Sequence, residues 1–112
     1  MTTITESVFD VDYFIKKFEA IPEENWCIGS YVLGERQCVL GHCGYRNWLP
    51  TEEGQALILI FFGPERIGSI SGVNDGTLSE VRVYGIDVPI PIPRTTPKHR
   101  ILHVLRAIKA VQ

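Results

Sequence analysis

Three cysteines, three histidines and one Asn-Asp pair are the residues of this 112-residue chain most able to carry chemistry. Cys38 and His42 stand four apart, so on a helix their side chains share one face and can touch. A cysteine nucleophile needs an imidazole to take its proton, and an acid or amide to orient that imidazole. Asn74 and Asp75 are the residues that could supply the third member. That set would make a thiol-dependent hydrolase or transferase.

The same residues allow a second chemistry. Cys38 with His42, and His99 with His103, each put two potential ligands four apart. Together they offer one thiolate and three imidazoles, a tetrahedral zinc set. This would be a zinc-stabilised module, although neither pair has a zinc-finger spacing. Asn74-Asp75-Gly76 could also meet a cation. A third possibility is binding: Trp26, Tyr31, Tyr45 and Trp48 could line a stacking pocket, and His99 and His103 could face a partner. The Pro89/Pro91/Pro93 run could be held as a polyproline segment, or could serve as a rigid connector.

Each feature has a plainer reading. Cysteine is among the most buried residue types, so Cys38 reads first as a small core residue and His42 as a helix-end polar group. Asn-Asp-Gly reads as turn or cap chemistry. Aromatic residues of a small protein mostly fill its core. No catalytic residue, no metal and no cofactor is assigned on these grounds. The binding residues expected are Trp26, Tyr45, Trp48, His99 and His103.

The elements that must position these residues follow from spacing. Asp10 reads as an N-cap for a helix over 11–20, with Val11, Phe14, Ile15, Phe18 and Ile21 on one face and Pro22 as its stop. Residues 1–9 are expected to fray. Trp26 to Leu33 reads as a short strand or extended loop, with a turn at Leu33-Gly34-Glu35-Arg36. Gln37 to Tyr45 reads as a short helix whose glycines let another backbone come close. Thr51 caps a helix through the apolar run Ala56 to Phe62, which Gly63-Pro64 ends. Being apolar all round, it is expected to be the central helix.

Ile67, Ile70 and Val73 suit a helical turn. Alternatively, residues 67–73 pair with a strand at Glu80–Tyr84 across Asn74-Asp75-Gly76. Val88 to Pro93 must be extended. Thr96-Pro97 opens a last helix with Ile101, Val104, Leu105, Ile108 and Val111 as its core face. His99, His103, Ala107 and Ala110 fall on the opposite side. Lys98, Arg100, Arg106 and Lys109 form its sparse basic flank.

The chain length fits one domain, 1–112, large enough for a core without a staple. The fold class expected is mainly α (α+β): a compact bundle of three to four helices with a short β-hairpin or extended segments. A net charge of −2 gives no general attraction to nucleic acid or to anionic membranes. The longest apolar run is too short to span a bilayer. No signal-peptide pattern opens the chain, and an odd number of cysteines suits reduced thiols in a cytoplasm.

One resemblance adds to this. Trp26, Gly29, Cys38-Val39-Leu40-Gly41, the apolar run Ala56–Phe62, Asn74-Asp75 and the closing helix Leu102–Ile108 occur in an order similar to a family of small bacterial and phage proteins. That family carries Cys-Ala-Leu-Gly and Trp-Asn-Asp signatures. Here Val73 stands where the family has Trp, and residues 77–95 are longer and proline-rich. The resemblance implies a mostly helical fold and a bacterial or phage setting, and no reaction. The function expected is a small cytosolic accessory protein that binds a protein partner without catalysis. It could self-associate through the His99/His103/Ala107/Ala110 side.

Overall fold

The Asp10 carboxylate accepts from the Tyr13 amide at 2.8 Å and starts α1 (Val11–Glu19). The computed structural model describes residues 9–45, 49–64 and 68–112. Of residues 1–9, expected to fray, 1–8 lie outside the described residues, as does Ile67, while Phe9 is half-buried with its ring edge-on to Tyr13. The apolar spacing of α1 works as read. Val11, Phe14 and Phe18 are buried, and the rings of Phe14 and Phe18 stack with centroids 5.7 Å apart. Pro22 ends this segment, and a 3-10 turn at Glu23–Asn25 hands the chain to Trp26.

The next stretch, read as a short strand or extended loop with a turn at residues 33–36, forms a hairpin around that turn. β1 (Val32–Leu33) pairs antiparallel with β2 (Arg36–Gln37), and Gly34 takes the positive φ that the tight turn needs. A single helical turn, α2 (Val39–His42), follows at once. Thr51 then does two things. Its hydroxyl accepts from the Gly54 amide to cap α3 (Glu52–Phe62), and donates to the Cys43 carbonyl at the end of α2.

Beyond α3 the chain takes the helical one of the two readings and not the paired one. Residues 70–75 form a helix, α4 (Ile70–Asp75), so they do not pair with residues 80–84. The strand there is only Glu80–Val81 (β3), and its antiparallel partner is Ile90–Pro91 (β4) in the extended proline segment. Pro91 can occupy β4 because a two-stranded ladder leaves one edge of each strand unpaired. Finally Thr96 caps α5 (Pro97–Ala110) through the His99 amide, with Pro97 in the first turn.

The result is mainly α with small β content, as expected. It has five helices among the described residues, where three or four were expected, because two short ones, α2 and α4, are held by tertiary contacts. The central element is α5, not α3: it packs against α1, α2 and α4. Ile101, Leu102, Val104, Leu105 and Ile108 are all buried. Val111, read as core, is 63% exposed, because the helix has ended by that residue. α3 instead lies to one side, with Leu57, Phe61 and Phe62 inward and Leu59 outward. Ion pairs tie its first turn and α5 to α1: Lys17–Glu53, Arg106–Glu19 and Lys109–Asp12.

The tightest backbone approach is at Gly41. A Cβ there would sit 2.0 Å from the carbonyl oxygen of Tyr31 and 3.1 Å from the Gln37 Cβ. The Tyr31 carbonyl cannot move freely, because it also accepts from the Cys38 amide at 3.2 Å. Gly41→Ala must therefore shift backbone and is expected to destabilise the protein by about 2–3 kcal/mol in urea unfolding. Gly34→Ala has open space around its Cβ and strain only from φ, and is expected to cost about 1 kcal/mol.

Candidate functional site

The polar centre of the molecule is Asn74, whose side chain is completely buried in α4. Its Oδ1 accepts from the Val39 amide at 3.0 Å, the first residue of α2. Its Nδ2 donates to the Cys27 carbonyl at 2.9 Å and to Asp75 Oδ1 at 2.8 Å. Asp75 Oδ2 accepts from the Gly29 amide at 3.2 Å. Two adjacent side chains on α4 thus hold the 27–29 loop and the start of α2. Both are engaged with backbone groups, so neither is turned to orienting an imidazole.

Arg100 completes this centre. Its residue is 7% exposed, and its guanidinium donates from Nε to the Val73 carbonyl at 3.0 Å and from Nη2 to the Asn74 carbonyl. Nη1 donates to the Thr95 carbonyl. These bonds satisfy the open carbonyls at the end of α4, which Gly76 closes in the left-handed conformation. Desolvation lowers the Arg100 pKa from its ordinary value, and the neighbouring Asp75 charge opposes that.

The sequence placed Arg100 on the solvated basic flank of α5, and the structure buries it. On a helical wheel it falls only about 40° from Val104, at the margin of the core stripe. That closeness was the one available signal.

The thiols are not set up as nucleophiles. Cys38 is 5% exposed, and burial pushes its pKa up; the Gly41 and Leu40 amides pull it down less, and Asp75 adds to the rise. Cys38 is the N-cap of α2, in extended backbone, so it does not share a helical face with His42 as a four-residue spacing implied. The half-buried His42 ring lies instead beside the Trp26 indole, centroids 4.6 Å apart. Burial also raises the Cys27 pKa, and raises that of Cys43 to about 12. The Cys27 thiol donates to the Ser30 carbonyl at 3.4 Å.

The zinc set is not assembled either. Among the described residues no three His, Cys, Asp or Glu side chains come together as metal ligands. His99 and His103 sit beside each other on α5, rings 6.4 Å apart, with His99 Nδ1 2.8 Å from the Thr95 hydroxyl. His99 is exposed and His103 half-buried.

Trp26 and Tyr45 are not accessible, which corrects the expectation of an aromatic binding face. Trp26 packs edge-on against Phe18, and Tyr45 lies against Gly54, where a Cβ would meet its ring at 2.1 Å. Trp48 lies outside the described residues.

Comparison with protein-family models, with curated proteins and with solved structures returned no match to this chain.

Two predictions follow from the geometry. Asn74→Ala strands the Val39 amide and the Cys27 carbonyl in the interior, each worth about 1–3 kcal/mol when unpaired. Unfolding free energies are expected to fall by about 3 kcal/mol for Asn74→Ala, and by less for Asp75→Asn.

The second concerns pH. Cys43, and Tyr13 hydrogen-bonded to Glu53, both have folded pKa values raised to about 12, from 9.0 and 10.0. The folded state keeps these protons where the unfolded chain loses them. Their stabilising effect is therefore undisturbed below pH 9 and is lost as pH rises from 9 to 12. Each fully differential proton contributes a slope of about 1.4 kcal/mol per pH unit. Tm measured between pH 8 and 11 should fall steeply above 9, and alkylation of all three thiols should wait for unfolding.

Proposed function

We propose that this is a small non-catalytic protein that acts by binding a protein partner, through the apolar loop that runs from Ile28 to Leu33. The observation that carries this reading is exposure. Ile28 is 54% exposed, Leu33 57% and Val32 38%, within six consecutive residues. Neighbouring exposed apolar side chains in a small protein mark a contact surface more than isolated ones do.

The loop is also held stiffly at both ends. Gly29 and Cys27 are tied to α4 through Asp75 and Asn74, and the Tyr31 carbonyl is tied to the Cys38 amide above Gly41. A preformed loop loses little entropy when it docks. The His99/His103/Ala107/Ala110 side of α5 carries less apolar surface and is the weaker candidate, suited at most to self-association.

The burial of Cys38 and its raised pKa count against the thiol hydrolase or transferase. A bacterial or phage setting and a cytosolic location belong to the same proposal. The three unbridged thiols suit a reducing compartment. Among the described residues no helix is long and apolar enough to cross a membrane.

Leu33→Asp changes an exposed side chain and should alter stability by no more than about 0.5 kcal/mol. Tagged wild type and Leu33→Asp are compared by quantitative capture from the native host. A protein enriched by wild type and reduced at least about tenfold by the variant, equivalent to about 1.4 kcal/mol, supports the reading. Equal capture by both proteins ends it.

A further inference from the structure

A cleft lies where the end of α4, the approach to β3 and the approach to α5 meet. It has a volume of about 430 Å³. Its walls include Arg94, Arg100 and Asp75, the hydroxyl residues Thr77, Ser79 and Thr95, and the apolar residues Leu78, Ile92 and Pro93. That volume suits a small organic molecule.

The charge on these walls is specific. A guanidinium has five N–H donors. Three of those on Arg100 are bound to the carbonyls of Val73, Asn74 and Thr95, which leaves two. Among the described residues, no carboxylate lies within ion-pair distance of this nearly buried cation. Asp75 lines the same cleft, but its two oxygens accept from Asn74 and Gly29. The exposed Arg94 adds a second positive charge at the rim. The cleft also opens at the N-terminal end of the fourteen-residue α5, where the helix dipole favours negative charge.

We propose that this cleft binds a small organic carboxylate, its head on Arg100 and Arg94 and its apolar body against Leu78, Ile92 and Pro93. Two arginines set against one aspartate leave one net positive charge, which matches a monoanion better than a dianion such as a phosphate ester. The apolar wall favours an organic anion over a bare inorganic ion. The proposal is independent of the loop at Ile28–Leu33, and either can fail without the other.

The test uses amide NMR of the full chain with three probes of one shape: benzoate, phenyl phosphate and benzyl alcohol. Benzoate is expected to give saturable shifts at Gly76, Thr77, Ser79, Arg94 and Thr95 and at the Arg100 Nε–H, with a Kd of about 1 mM or tighter. Phenyl phosphate should bind more weakly, and benzyl alcohol should give no saturable shift there.

Arg94 is exposed, so Arg94→Gln should fold normally. It should weaken benzoate by about threefold to tenfold, the scale of one charge-assisted contact. The proposal is overturned if benzoate produces no saturable shift at these residues. Equal binding of benzyl alcohol, tighter binding of phenyl phosphate, or unchanged benzoate affinity in Arg94→Gln would each overturn it too.

Discussion

A carboxamide with no water around it must find partners or cost several kcal/mol, and Asn74 finds them on two other segments and on its own neighbour. The Val39 amide, the Cys27 carbonyl and the Asp75 carboxylate surround it. Most of the molecule's irregular structure depends on this arrangement. A six-residue helix such as α4 has no stability of its own in water, and a single turn such as α2 has less. Each persists here because its end groups are satisfied from elsewhere: α2 by Asn74, α4 by Arg100. Polar contacts therefore run continuously from α5 through Arg100 and α4 to the start of α2 and the 27–29 loop. The large apolar side chains pack around that line.

Small residues let this line stay short. Gly41 brings α2 onto the Tyr31 carbonyl, and Gly54 brings α3 onto the Tyr45 ring. Cys38 and Cys43 flank α2 as side chains small enough for the same space, and both are buried. A thiol in that position is kept protonated by desolvation, whatever residues stand four away in sequence. The spacing of Cys38 and His42 thus reflects the length of one helical turn and its cap. Packing is enough to account for the glycine- and cysteine-rich composition of this stretch.

What the sequence disclosed was the chemistry confined to a few neighbouring residues. Asp10, Thr51 and Thr96-Pro97 were legible as helix starts because a cap is decided by a side chain and an amide three residues on. Gly34 was legible as a turn for the same reason. The position of α3 was not, because an all-apolar run reports hydrophobicity and not which neighbour covers it. Residues 67–73 were read both as a helical turn and as a strand. The choice between them rests on Arg100, twenty-six residues beyond Asn74, whose guanidinium takes the carbonyls a strand would have turned sideways. Arg100 itself looked like a surface cation, since nothing local marks a guanidinium that will end up inside. Among the candidate site residues, Asn74 and Asp75 did prove central, but to the architecture. Trp26 and Tyr45 went to the core, as aromatic residues of small domains commonly do.

The separation between stiff interior and exposed surface bears on function. A loop with Ile28, Val32 and Leu33 in water loses hydrophobic free energy relative to burying them, on the order of 25 cal/mol per Å² of apolar surface. If the loop were loosely attached, it could fold back and recover part of that. The bonds from Asp75 to Gly29, from Asn74 to Cys27 and from Cys38 to Tyr31 fix its backbone in place instead. Rigid display of apolar side chains is unfavourable for an isolated molecule and favourable for one that docks, because the ordering cost is already met before contact. The same Asp75 that fixes Gly29 also lines the cleft beside Arg100. The polar line through the core therefore ends in two surfaces, one apolar and one charged. Both are held by residues whose bonds to the backbone leave little freedom to rearrange.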